Sequence, residues 1–327
     1  MLGRIYLIFA VTFVMLFLFV FGVVFILVKG PSEEACRIFS LSCFETSAGQ
    51  WIPGVFLSDE EIEAIKQPVT TTDTTEIFPT ATEDTQTADS EDTAQEVTYT
   101  SNIEVIDVKG STYKGKVMLI HDPSHVFFGA IDSFGGTGMT LSQFLEKYNA
   151  IGCVNAGGFL DEGGTGKGGD PDGMVIQNGQ LVYGSAEETY KCVAGFDADH
   201  VLHVGNMTGQ QALNAGIVNG TSFDKGPIII QDGVRQTGFV SGLNPRTSIG
   251  QAADGTVILV AVEGRLADSL GASFEDIADI MESYGAVNAA NMDGGSSSGM
   301  YYEGERITRS SSIIGDRPLP TAIMVVE

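Results

Sequence analysis

The chain has 327 residues, enough for one large domain or two ordinary ones, and 43% of them are hydrophobic. Forty-two acidic residues against seventeen basic ones leave a formal net charge of −25. That balance excludes nucleic acid as an expected partner and excludes a polybasic membrane patch, because such anionic surfaces repel an acidic chain.

From Ile5 to Val28 no charged residue occurs, a run long enough to span a bilayer as a helix. Arg4 precedes it and Lys29 follows, and this weak bias favours the N-terminus inside and the bulk outside. The run is longer than a signal-peptide core and no small-x-small cleavage site follows it. Residues 1–30 therefore read as an uncleaved single-pass anchor in the cell membrane, with everything after it extracytoplasmic. Residues 31–66 read as a juxtamembrane helical segment, in which Ser58-Asp59-Glu60-Glu61 caps a short helix carrying Ile62 and Ile65. Trp51, Phe56 and Leu57 are candidates to rest at the membrane surface. Cys36 and Cys43 lie close enough in sequence to suggest a bridge, whereas Cys153 reads as a small core residue. With no Cys-x-x-Cys pair or Cys/His cluster, no structural zinc is expected. Residues 67–100 are Thr-rich and acidic without Lys or Arg, a composition that cannot bury a core, and read as a disordered linker or stalk.

From residue 101 to 327 the pattern is that of one globular domain. Lys116 to Ile120 reads as a strand. Asn178-Gly179, Asp232-Gly233, Asp254-Gly255 and Glu303-Gly304 each sit between apolar runs and signal hairpins at 174–183, 228–235, 251–262 and 300–307. Two helices carry start signals, Thr140 with Gln143 and Ser273 with Asp276. Leu141, Phe144, Leu145 and Tyr148 form one apolar face; Phe274, Ile277, Met281 and Tyr284 form the other. Many strands and few helices predict an α+β fold, with a mixed, mostly antiparallel sheet and a few packed helices.

The stretch richest in chemistry is Val287 to Met300, a buried strand that breaks into Asp293-Gly294-Gly295-Ser296-Ser297-Ser298. A carboxylate at a strand end, beside glycine amides and hydroxyls, can move a proton and hold an anion or a sugar. Ile151 to Phe159 is built alike: a helix precedes it, it shares Val-Asn-Ala, and it breaks at Gly157-Gly158. The likeness suggests either a pseudo-repeat or two neighbouring strands serving one cleft. Gly169-Asp170-Pro171-Asp172-Gly173 is a rigid acidic turn. Asn244-Pro245-Arg246-Thr247-Ser248 offers a guanidinium and hydroxyls suited to a phosphate or carboxylate. Glu263-Gly264-Arg265 closes the apolar run 257–262. His121, Asp122 and His125 flank Pro123, which argues for a turn rather than a metal-binding helix, and His200 and His203 read as structural. No nucleophile elbow, phosphate-binding loop or dinucleotide fingerprint occurs, so neither a cofactor nor a metal is expected. Asp, Glu and Arg at strand ends suit acid/base cleavage of a glycosidic or phosphodiester bond.

Val154 to Phe159, Asp170 to Gly173, Asn244 to Gly250 and Asn291 to Ser298, in this order, resemble the motifs of the phosphodiester glycosidase family over residues 101–327. Gly158 and Met292 stand where that family commonly has an aromatic residue and a leucine. The resemblance implies hydrolysis of a sugar-1-phosphate diester between the anomeric carbon and the phosphate. It makes Asp293 the candidate catalytic carboxylate, with Glu263 or Asp172 as the second. Arg246 and Thr247 become candidates to hold phosphate. Asn155, Asn291, Ser296 and Ser297 become candidates to position sugar hydroxyls, with Gly157, Gly294, Gly295 and Arg265 around them. The expected partner is a carbohydrate phosphodiester of cell-envelope glycan or exopolysaccharide. A glycan-binding or polysaccharide-assembly protein using the same cleft without catalysis is the alternative.

Overall fold

The computed structural model describes residues 2–46, 49–68, 102–161, 166–312 and 315–327. Its first element, α1 (Leu2–Lys29), is about 42 Å long at 1.5 Å per residue and exposes apolar side chains all round. Ser32 then accepts a hydrogen bond from Ala35 N at 3.3 Å and opens α2 (Glu33–Phe44), with Glu33 and Glu34 at the positive end of the helix dipole. Ser58 and Glu61 form the expected capping box of α3 (Asp59–Ile65). Lys29 pairs with Glu61 at 2.9 Å, and Phe56 packs on Phe21 and Phe25 at centroid distances of 5.1 and 5.9 Å. Phe56 thus covers α1, while Trp51 is exposed. The suggested Cys36–Cys43 bridge does not form. Both thiols lie on α2 seven residues apart, about 10 Å along the axis, beyond disulfide reach. The stretch read as a stalk lies, from residue 69 on, outside the described residues.

The domain begins with the hairpin β1 (Ile103–Lys109) and β2 (Lys114–Ile120), followed by β3 (Val126–Ala130). The capping box of Thr140 and Gln143 starts α4 (Leu141–Tyr148), which ends on Asn149 in the left-handed region, before β4 (Gly152–Asn155). Next come β5 (Val175–Gln177), β6 (Gln180–Tyr183), β7 (Thr189–Phe196) and β8 (Leu202–Thr208). The short α5 (Gly209–Asn214) was not foreseen, although Thr208 and Gln211 make a third capping box. Then β9 (Asn219–Ser222), β10 (Ile228–Gln231), β11 (Val234–Arg235), β12 (Arg246–Ala252) and β13 (Val257–Val262) lead to α6 (Phe274–Ser283), capped by Ser273 and Asp276. The chain closes with β14 (Ala286–Asn291), β15 (Met300–Tyr302), β16 (Glu305–Arg306) and β17 (Thr321–Val325). Asn178-Gly179, Asp232-Gly233 and Glu303-Gly304 all take positive φ, as two-residue hairpins require.

The fold is α+β, and its strands form three sheets: β1-β2-β13-β12-β14-β10-β11, β16-β15-β4-β17-β3 and β6-β5-β9-β7-β8. Every ladder among the described strands is antiparallel. One core unites them, with Met118, Leu259 and Ala290 from the first sheet, Phe128, Val154 and Ile323 from the second, and Ala194, Phe196 and Leu202 from the third. On the outer face of the seven-stranded sheet α6 buries Phe274, Ile277 and Met281, and α4 covers the second sheet with Leu141 and Phe144. The two Val-Asn-Ala strands, β4 and β14, belong to different sheets, but their exits meet: Asp293 N donates to Ala156 O at 2.9 Å. That junction is where the candidate site lies.

Candidate active site

The junction is braced by buried polar groups. Asn155, wholly buried at the end of β4, donates from Nδ2 to Asp293 O at 2.6 Å. Its Oδ1 accepts from Thr247 Oγ1 at 2.7 Å and from Gly299 N at 3.2 Å. Thr247 Oγ1 is also 2.6 Å from Ser298 Oγ, and its carbonyl accepts from Met292 N at 2.8 Å. Asn291 is buried too, with Oδ1 accepting from Ser248 Oγ and Nδ2 donating to Met292 O. Asn155, Thr247 and Asn291, expected to hold substrate, are here buried and engaged by protein groups. These three side chains have no open surface and hold the exits of β4, β12 and β14 in one register. Gly157 also serves packing, since its N–H bonds Thr321 Oγ1 and a Cβ there would lie 2.6 Å from Thr221 Oγ1.

Above this brace stands Asp293. Part of the residue is open to solvent, but its carboxyl is set deep among its neighbours. Burial pushes its pKa up to about 6, against the hydrogen bonds from Ser297 and Gly294 N and the positive fields of Arg317 and Lys225, which pull the other way. A carboxyl titrating there can serve as acid or base close to neutral pH.

Two cations near Asp293 were not singled out in the sequence. Arg317 donates from Nη1 to Ser296 Oγ at 3.3 Å and from Nη2 to Asp161 Oδ2 at 3.0 Å, and its guanidinium lies 4.6 Å from the centroid of Phe159. Its side chain is partly exposed. Lys225 Nζ comes within 3.0 Å of Asp172 Oδ2, without the alignment of a hydrogen bond. Asp172 itself is held near Gly158, to whose carbonyl it donates from N at 2.9 Å. The one local signal for Arg317 is its place before Pro318, which stiffens the approach.

The remaining candidates are engaged elsewhere. Glu263 accepts from Arg309 N, Nε and Nη2 at 2.8, 2.8 and 2.6 Å, so both its oxygens are occupied, and it does not stand as a free second carboxylate. Arg246 points toward α6. It is 5% exposed, its guanidinium lies 4.0 Å from the Phe274 ring centroid, Nε donates to Ala272 O, and Nη2 donates to Glu45 Oε2 at 2.6 Å. Arg265 lies between the two regions. It donates to Asn244 Oδ1 and to Thr46 Oγ1, and it crosses Gly295, where a Cβ would meet Nη2 at 3.2 Å. Gly294 admits the carbonyl of Pro245, which a Cβ would meet at 2.6 Å. Among the described residues no group of three or more His, Cys, Asp or Glu converges on a metal position. Asp122 caps its turn through Ser124 N, and His203 pairs with Asp197 at 2.8 Å. A cavity of about 590 Å³, walled by Phe127, Phe134, Tyr148 and Val182, is built from other residues than the junction.

Fold and junction together define an α+β protein whose antiparallel sheets converge on a buried carboxyl flanked by cations and serines. The family model for phosphodiester glycosidase matches residues 148–326, more than half of the chain, and the chain belongs to that family. Among solved structures it resembles the zebrafish N-acetylglucosamine-1-phosphodiester alpha-N-acetylglucosaminidase catalytic domain auto-inhibited by pro-peptide, with 22% identity, a TM-score of 0.57, and coverage of 69% of this chain and 82% of that one. A putative exported protein of Burkholderia pseudomallei shares the fold at 17% identity and a TM-score of 0.50, covering 66% and 74% of the two chains. The SPbeta prophage-derived uncharacterized protein YomE of Bacillus subtilis is 28% identical over 202 residues, 58% of this chain and 29% of that protein.

Proposed function

We propose that this chain is a membrane-anchored, extracytoplasmic hydrolase that cleaves a glycosyl phosphodiester between the anomeric carbon and the phosphate, in cell-envelope glycan or exopolysaccharide. The observation that carries this reading is Asp293, with a carboxyl raised to about 6, held beside Ser297 and within the field of Arg317 and Lys225. In the proposed reaction the Asp293 carboxylate activates water or stabilises the oxocarbenium-like centre. Arg317 and Ser296 take the phosphate, whose negative charge matches a guanidinium edge. Phosphate leaves as a stable anion, so the demand on a second carboxyl is modest, and Asp172, beside Lys225, is the candidate for it. The zebrafish relative is an N-acetylglucosamine phosphodiester glycosidase, so that sugar is the first to try.

Anchoring is favoured over a removable leader by the packing of Phe56 against Phe21 and Phe25 and by the burial of Val28, which make α1 part of a folded unit with α2 and α3. An 18-residue window within residues 4–29 has a mean hydropathy of 3.1, and the helix is long enough for a hydrocarbon layer of about 30 Å. The test is to incubate the full-length chain in detergent with the methyl phosphodiesters of N-acetylglucosamine, glucose and mannose and to assay free sugar. Release that disappears in Asp293→Asn supports the proposal. Sugar binding with no release, unchanged by that substitution, supports the glycan-binding alternative instead.

A further inference from the structure

The contacts of Glu45 point to a second anion site. Glu45 caps the C-terminus of α2, and its carboxylate enters a cradle built wholly by the domain. Gly242 N donates to Oε1 at 2.8 Å; Asn244 Nδ2 and Arg246 Nη2 donate to Oε2 at 2.8 and 2.6 Å. Next to it Thr46 Oγ1 accepts from Arg265 Nη2 at 2.9 Å, and Ser42 Oγ accepts from Leu243 N at 2.9 Å. The fit is close, since a Cβ on Gly242 would lie 2.2 Å from Ser42 N.

The cradle has the chemistry of an oxyanion site. It presents a backbone N–H, an amide and a nearly buried guanidinium to one carboxylate, and a second guanidinium, Arg265, stands nearby, its pKa lowered first by burial and then by the like charge of Arg246. Two like charges removed from water require an anion. In this state the anion comes from the juxtamembrane segment, 201 residues away in sequence from Arg246. The cradle adjoins the junction directly, because Pro245 O accepts from Gly295 N at 2.9 Å and Arg265 lies over Gly295.

We propose that Gly242, Asn244, Arg246 and Arg265 bind a phosphate group beside the Asp293 centre, and that Glu45 holds this site closed as a reversible latch on the membrane-proximal segment. Phosphate and Glu45 then exclude each other, and a ligand that wins the cradle releases α2 from the domain. The role of the cradle as a subsite rests on the hydrolase reading; its exchange of Glu45 for phosphate does not.

The experiment uses the full-length chain in detergent micelles and isothermal titration with inorganic phosphate. Glu45→Gln, which keeps the shape and removes the charge, is expected to bind phosphate at least tenfold more tightly than the wild type. The gain should vanish when Arg246→Gln or Arg265→Gln is added; Arg265→Gln serves if the more buried Arg246→Gln fails to fold. Equal phosphate affinity in wild type and Glu45→Gln overturns the latch, and so does a gain that survives loss of the guanidinium. Because the readout is binding, a chain that hydrolyses no phosphodiester yet shows the contrast retires the proposed function and keeps the latch. Hydrolysis without the contrast does the reverse.

Discussion

Asp293 is the residue on which the proposed chemistry turns, and its environment sets opposite demands on stability and activity. Burial raises its folded pKa from an ordinary 3.8 to about 6, so the folded state prefers the protonated form. The stability this gives is complete below about pH 4 and is lost as pH rises through about 6. Asp293→Asn should therefore raise stability by up to about 3 kcal/mol at pH 8, at about 1.4 kcal/mol per pKa unit, and by almost nothing at pH 4. Urea denaturation at the two pH values checks this; an equal effect at both would mean that burial does not govern the group. If the carboxylate is the working form, the same group makes kcat/KM climb with pH through about 6, and Asp293→Asn lowers kcat by roughly 100- to 10,000-fold. Arg317→Lys keeps the charge but loses the planar fork toward Ser296 and Asp161, and a loss in kcat/KM of roughly tenfold or more is expected. Wild-type kinetics in that variant would remove Arg317 from the phosphate site. Asp293 was legible because acid, glycines and serines sit side by side in sequence. Arg317 was not: its partner Asp161 is 156 positions away, and no local pattern ties the two.

At the scale of elements, local signals worked where the structure is local. The capping boxes at Thr140 and Ser273 and the Asn-Gly and Asp-Gly turns were readable, and each defines an element within a few residues. α5 escaped because its apolar pattern spans six residues, too few for a period to show, although its capping box was in view. α2 lies inside the segment read as helical over 31–66, and its start at Ser32, followed by Glu33 and Glu34, is a second local cap signal beside that at Ser58. The assembly of three sheets around one core depends on pairings between distant strands, which periodicity does not encode. Gly157 gives this level a test. Its Cβ position is filled by Thr221 Oγ1 and by the carbonyl of Ser222, at 2.6 and 2.8 Å, so Gly157→Ala must part β4 from β9. A loss of about 2 kcal/mol or more is expected in chemical denaturation, in the range of overpacked cores. An unchanged midpoint would show that the two sheets separate freely at this point.

For the whole molecule, the N-terminal helices are joined to the domain rather than merely carried by it. Among the described residues, Ser42, Glu45 and Thr46 accept five hydrogen bonds donated by residues 242–246 and Arg265. Nothing in the sequence marks Glu45 for this role, since one acid among forty-two carries no signal until the fold brings it to Arg246. The same helices keep Cys36 and Cys43 two turns apart, so four alkylatable thiols are expected in the chain unfolded without reductant. Mass spectrometry finding fewer would mean a bridge that α2, as observed, cannot hold.

In the proposed reaction Asp293 directs water to the anomeric carbon rather than to phosphorus. Hydrolysis of a sugar-1-phosphodiester by the full-length chain in heavy-oxygen water, followed by mass spectrometry of both products, tests it most directly. The label is expected in the released sugar, with the phosphate monoester unlabelled; label in the phosphate would contradict it.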